Sequence, residues 1–364
     1  MSGRQRRAAV VRDFFRSASA NYRYVCVHTP SQSGVPPVAN GKILGSTGTI
    51  YDAVPYCEDL CCGLFAAQDA ETFKWLRDIV RSYRPSHLLF ERPFMFPAAE
   101  AVVSAGVCGG EQVIYDSANI ESTLKRDVLV AANVSARTAR AVAHHIEELE
   151  RGLVSRADLC IASSRGDLNT LLGIGAKKAI LCRNGVYGPT ANPASCSVPD
   201  SMDLPKRFLL MVGSDYLPNV QGFSNLLLAE PNLFFLPPEP AIVICGAMCN
   251  GVATSQAYQT YRLSVDRRVC MLGAVSDESL AVIIDRCHGF ILSIEFGGGS
   301  HLKTAEALYS GKWVIATSVA MRGFEEFGRE PGVVVADDPK DISTLPMCPL
   351  PAPKVFQGGG PRAW

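Results

Sequence analysis

Short apolar runs, rich in β-branched residues and bounded by turn formers, alternate along this chain with stretches of helical periodicity. The pattern predicts strands at YRYVCVHT (22–29), KILGSTGTIY (42–51), SHLLFER (86–92), EQVIYDS (111–117), ADLCIAS (157–163) and AKKAILCRNGV (176–186). Helical spacing falls between them, at 72–83, 97–106, about 135–154 and near 165–173. The stretch YGPTANPASCSVPDSMDLPK (187–206) has no periodicity and is rich in Pro, Ser and Asn, so it reads as a linker. A second alternating series follows: strands at 208–214, 240–247, 269–275, 289–294, 312–318 and 332–338, with helices near 219–229 and at 277–286. Strands that alternate with helices must pair in parallel, because each crossover returns the chain to the same sheet edge. The expected fold class is therefore α/β, with two doubly wound, Rossmann-like domains. Their boundaries are 1–186 and 207–340, with the linker at 187–206 and an irregular Pro- and Gly-rich tail at 341–364. Two such sheets offer a ligand cleft at the carboxyl ends of their strands.

Composition narrows the function. The 35 basic and 35 acidic residues balance, which gives no global field to draw nucleic acid. The basic run Arg4, Arg6, Arg7 and Arg12 reads as a solvated helix face, with a weak peripheral contact to a membrane surface as the alternative. No apolar stretch reaches the roughly 18 residues of a spanning helix, and no secretory leader is visible, so the expected location is cytoplasmic, at most the inner face of the membrane. The 13 cysteines sit mostly in strand-like runs, as reduced buried thiols do. Cys57, Cys61 and Cys62, and likewise Cys245 and Cys249, lack a second pair at zinc spacing, so no metal site is expected.

The sharpest local signal is IEFGGGSHLKTAEALYSGK (294–312). Three glycines and a serine lead into a helix marked by Leu302, Ala305, Leu308 and Tyr309, with Gly311 at its end. A glycine loop at a helix start leaves backbone N–H groups free beside the positive end of the helix dipole, which suits an anion and above all phosphate. The competing reading is a tight turn that only packs helix on strand.

Several segments together resemble one family. LLMVGSDYLPNVQGF (209–223), RRVCMLGAVSDESLAVIIDRC (267–287) and GGGSHLKTAEALYSGKWVIATSVAMRG (297–323) are similar, in order and spacing, to the donor domain of retaining GT-B-fold glycosyltransferases of family 4. YDSANIES (115–122), ERGLVSRADLCIASSRGD (150–167) and CRNGV (182–186) resemble segments of the same family's first domain. The resemblance implies two Rossmann-like domains facing a cleft, a nucleotide-sugar donor, a sugar, lipid-linked or small-molecule acceptor, and no cofactor. It implies that Glu306 holds the ribose hydroxyls, and that Gly298, Gly299, Ser300, His301 and Leu302 offer amides to the diphosphate, with Lys303 adding a cation. Gly273, Ala274 and Val275 would frame the base, and Gly213 and Ser214 would face sugar and phosphate. No nucleophile or general base is named.

The departures are specific. The family's first glutamate, separated from the second by seven residues, falls at Gly298 here, and Glu295 lies three residues early. Ser214 and Asn219 occupy the region of a usual arginine and lysine, and Ala118 stands where many relatives carry histidine. The chain opens on what reads as the helix after the family's first strand and glycine loop, and its tail is not helical. A truncated or degenerate, non-catalytic binding subunit is therefore an alternative, as is a nucleotide-sugar epimerase. The epimerase needs acid/base carboxylates that the spacing does not reveal.

Overall fold

A computed structural model describes residues 3–18, 21–28, 41–43, 54–106, 110–186, 204–231 and 241–344. The linker up to residue 203, the tail from 345 and most of the expected second strand lie outside these residues. The chain divides into two compact units between Arg183 and Asn184. The CRNGV segment is thus split, and Asn184, Gly185 and Val186 go with the second unit.

The first unit opens with α1 (Gly3–Ala18), the parallel pair β1 (Cys26–His28) and β2 (Gly41–Ile43), and helices α2 (Cys61–Gln68) and α3 (Ala70–Tyr83). Next come β3 (His87–Phe90), α4 (Phe96–Ser104), β4 (Gln112–Ser117), α5 (Glu121–Ala131), α6 (Ala136–Arg156), β5 (Leu159–Ala162), α7 (Arg165–Gly173) and β6 (Ala179–Leu181). β3 to β6 form one parallel sheet in sequence order. Asp69, Ser135 and Ser164 cap α3, α6 and α7, each accepting from a backbone N–H in the first turn. α5 has no side-chain cap of its own. Glu150 on α6 serves instead: it accepts from the N–H of Glu121 at 2.6 Å, and from the N–H and hydroxyl of Ser122 at 3.1 and 2.6 Å. Burial pushes the Glu150 carboxyl up to about 7 despite these donors.

The second unit contains β7 (Phe208–Val212), α8 (Leu217–Gln221), β8 (Ala241–Cys245), α9 (Met248–Thr254), α10 (Gln256–Val265), β9 (Val269–Gly273), α11 (Asp277–Arg286), β10 (Gly289–Leu292), α12 (Leu302–Tyr309), β11 (Trp313–Ala316), β12 (Val333–Val335) and α13 (Pro339–Thr344). α8 runs on into a wider turn of π-helix over Gly222–Leu227. The six strands are parallel in the order β12-β11-β10-β7-β8-β9. β8 and β10 are buried at every residue, as strands covered on both faces must be. One core, with Phe208, Val243, Phe290 and Phe324, fills one face; Leu209, Phe223, Ile244 and Ile291 fill the other.

The α/β expectation holds. The sequence pattern missed α2, α5, α9, α10 and α13, the last of which runs into the first residues of the stretch expected to be an irregular tail. α2 is CCGLFAAQ, small or apolar nearly throughout, so it has no polar face to set a period. α9 and α10 are short and meet at Ser255, which closes one helix and caps the next.

The order places β10 beside β7, where the sheet's winding reverses, and a crevice opens at the carboxyl ends of such a pair. Gly222 sets how closely the helix after β7 approaches it: a Cβ there would lie 1.6 Å from the carbonyl oxygen of Ser293, just past β10. Gly222→Ala should therefore lower stability by about 3 kcal/mol or more through forced backbone displacement. Gly311→Ala has open space and only a left-handed φ of 69° to bear, and should cost about 1 kcal/mol. Urea unfolding of both variants checks the ranking; equal losses would refute the close approach.

Candidate functional site

Each strand on one side of the reversal ends in glycine. Gly213 follows β7, Gly246 follows β8 and Gly273 ends β9. Gly246 donates to the Gly273 carbonyl at 2.6 Å, and a Cβ on Gly246 would lie 2.3 Å from the Gly213 carbonyl oxygen. Gly246 and Gly273 hold φ of 97° and 69°, conformations that favour glycine. These residues let three loops leave the sheet side by side. Of the predicted site residues here, Ser214 and Ala274 are exposed and Val275 is half-buried against the core.

On the other side, β10 leads into the loop 293–301 and α12. Gly299 takes φ of 65°, which turns the chain into the helix. Ser300 is buried and tied down by Asn184: the Asn184 N–H donates to Ser300 Oγ at 3.2 Å, and Asn184 Nδ2 donates to the Ser300 carbonyl at 2.7 Å. Arg322, in the turn after β11, donates to the Gly297 carbonyl. Thr317 Oγ1, which donates to the Ile294 carbonyl at 2.6 Å, steadies the loop's first residues. His301 occupies the N-cap position but makes no side-chain cap. Among the described residues, the N–H groups of Gly298, Gly299, Leu302 and Lys303 reach no protein acceptor. A rigidly held loop thus ends in unsatisfied donors at the positive end of α12.

The side chains add positive charge. Lys303, half-buried in the first turn, donates through Nζ to Asn219 Oδ1 of α8, and burial brings its ammonium down to about 8. His301 is held neutral, its value lowered to about 3 by burial and then by Lys303 and Arg322. Glu306 lies one turn further along α12, half-buried, on the face it shares with Lys303. The structure thus brings Gly298, Gly299, Ser300, His301, Leu302, Lys303 and Glu306 together at the β10–α12 junction. It places Gly213 and Ser214 at the end of the adjacent β7, and Gly273, Ala274 and Val275 two strands further on, at the end of β9. Asn184, Asn219 and Arg322, which hold this arrangement, carry no local sequence signal beyond their places within the 182–186, 209–223 and 297–323 segments.

The carboxyl ends of the first unit's strands hold a second polar cluster. Glu91 follows β3 and Asp116 lies in the neighbouring β4, so two carboxylates share a neighbourhood that sequence spacing did not reveal. Asp116 pairs with Arg7 of α1 at 2.5 Å. Glu91 Oε1 is buried with no partner among the described residues. Burial, with Asp116 second, pushes Glu91 up to about 7. Among the described residues, no group of three His, Cys, Asp or Glu is placed to hold a metal ion, and no helix is long and apolar enough to cross a membrane.

Residues 206–344 match the family model described as glycosyl transferases group 1. No curated protein matches the chain. Solved structures do. The sucrose-phosphate synthase of Thermosynechococcus elongatus aligns with a TM-score of 0.55 and 16% identity, over 78% of this chain and 68% of that one. Anabaena HepE in complex with UDP and glucose gives 0.56 and 13%, over 87% and 77%. The UDP-forming α,α-trehalose-phosphate synthase of Burkholderia vietnamiensis gives 0.50 and 13%, over 89% and 90%. At these identities the likeness establishes the fold, which is that of GT-B glycosyltransferases.

Because Glu91 binds its proton more tightly in the folded chain, its contribution is present in full below the ordinary glutamate value and is lost as pH rises through about 7. Glu91→Gln, a neutral isostere, should leave stability near pH 4, below the ordinary glutamate value, almost unchanged. Near pH 8 it should raise stability by on the order of 1 kcal/mol. Thermal melts of both proteins at the two pH values check this; a variant destabilised equally at both would refute it.

Proposed function

We propose that this chain is a retaining glycosyltransferase of family 4 type, which moves a sugar from a nucleotide-sugar donor to an acceptor hydroxyl in glycan, polysaccharide or glycolipid synthesis. The observation that carries the reading is the glycine loop at the β7–β10 reversal, fixed by Asn184 and Arg322, with free N–H groups at the start of α12. Support comes from the family model over 206–344 and from the fold's likeness to an enzyme described as UDP-forming and to a protein solved with UDP and glucose. In the transfer, the bond from the anomeric carbon to the diphosphate oxygen breaks, a bond to the acceptor oxygen forms, and the acceptor's hydroxyl proton passes to the leaving diphosphate. Negative charge grows on the leaving diphosphate. Fixed amides and a helix dipole favour that charge without reorganising.

In this reading the donor's diphosphate lies on Gly298–Lys303, its ribose on Glu306, and its base against Gly273, Ala274 and Val275, with Gly213 and Ser214 towards sugar and phosphate. The donor charge is met by protein groups, with no divalent metal, and the expected location is cytoplasmic. The second reading, a non-catalytic nucleotide-sugar binder, is favoured by the absence of a carboxylate at Gly298 and of a histidine at Ala118. An epimerase would need a free carboxylate pair, and Asp116 is committed to Arg7.

Calorimetry with UDP, GDP and TDP, with and without EDTA, tests the site; strict metal dependence or no binding would overturn it. Glu306→Ala should lower the affinity for the bound nucleotide about tenfold to a few hundredfold, since it removes two charge-assisted bonds worth roughly 1.5–3 kcal/mol each before solvent competes. The melting temperature without ligand should change little, because alanine suits a helix interior. An unchanged affinity would remove Glu306 from the site. Product formation from a nucleotide-sugar and an acceptor separates the enzyme from the binder.

A further inference from the structure

The ammonium of Lys303 is held in an unusual way. Its one acceptor among the described residues is the neutral carbonyl of Asn219, and no carboxylate lies within ion-pair range of it there. An ammonium carries three donors, and a half-buried one without a counter-charge is costly. Asn219 is itself anchored, since its Nδ2 donates to the Ser214 carbonyl at 2.9 Å, in the loop after β7. The amide therefore bridges that loop to the first turn of α12. The hydroxyl of Ser293, in a residue only 3% exposed, has no partner among the described residues. Ser293 lines the same small cavity as Asn219, Met248 and Lys303. Lys303 and Ser293 thus each have a donor to spare at this point.

The charged and titratable neighbours supply no compensating negative charge. His301 is neutral, and the Arg322 guanidinium is engaged by the Gly297 carbonyl. The Asp215 carboxylate lies over Gly251 of α9, within 2.3 Å of where a Cβ there would fall. Glu306, one turn along α12, has a contact of its own, and the Lys303 ammonium is given instead to Asn219.

Resting on the donor-site reading above, we infer that Asn219 is a positioning residue for diphosphate recognition: it holds the Lys303 ammonium uncompensated at the β7–β10 crevice, and the donor's diphosphate is the missing counter-charge. The strength of that recognition depends on the ammonium being charged. Because burial lowers Lys303 to about 8, its charge is lost within an accessible range.

The test is calorimetric titration with UDP and with uridine near pH 7 and pH 9, on the wild-type protein, Asn219→Asp and Lys303→Met. Referring UDP to uridine cancels ionisation of the base. In the wild type the advantage of UDP should shrink about tenfold between the two pH values, the loss expected when one required group titrates midway. In Asn219→Asp the new carboxylate keeps the ammonium charged but occupies it, so the advantage should be smaller near pH 7 and flat to pH 9. Lys303→Met should show a small, flat advantage. A merely structural Asn219 would leave the pH profile of the variant parallel to that of the wild type, and this result, or a flat profile in the wild type, would overturn the inference. Wild-type protein that binds none of UDP, GDP, ADP and TDP would overturn the donor-site reading itself, and the inference with it.

Discussion

The pairing of β10 against β7 governs the rest of the second unit. The two strands share only the register Gly289 with Leu209 and Phe290 with Leu210, yet that contact reverses the sheet's winding. Helices that follow strands on either side of a reversal leave in opposite directions, and the strand ends between them stay uncovered. The buried, unbroken apolar run of β10 is what fixes it in the centre of the sheet. Once there, its loop must emerge beside Gly213, and α12 must present its first turn to that point.

On the proposed reading, what suits this crevice to an anion is rigidity as much as charge. Ser300 is gripped at both its hydroxyl and its carbonyl by Asn184, and Gly297 is gripped by Arg322. The backbone donors of the loop are therefore set before any ligand arrives. Preorganised dipoles of this kind favour charge without the cost of turning solvent or side chains. The same packing keeps His301 neutral, so the positive charge is concentrated on Lys303 and Arg322.

The sequence disclosed the central strands of the second unit because continuous apolar, β-branched runs between turn residues are a direct trace of burial on two faces. It disclosed the glycine loop and α12 because glycine placement and the Leu302–Ala305–Leu308 spacing are local. It did not disclose the contacts that hold the loop in place. Asn184 and Ser300 are 116 residues apart, and Asn219 and Lys303 are 84 apart. The Glu91–Asp116 neighbourhood arises only when β3 pairs with β4. Helices such as α2 escaped because nearly uniform apolar or small residues leave no period to read.

The central claim is that the unsatisfied amides of the β10–α12 junction receive the diphosphate. Amide hydrogen exchange, followed with and without UDP, reads those groups directly. The account predicts that exchange slows over Gly298–Lys303 when UDP is added, while the β8 and β11 amides, already bonded in the sheet, do not change. Binding of UDP with protection confined to other segments, and none at Gly298–Lys303, would contradict it.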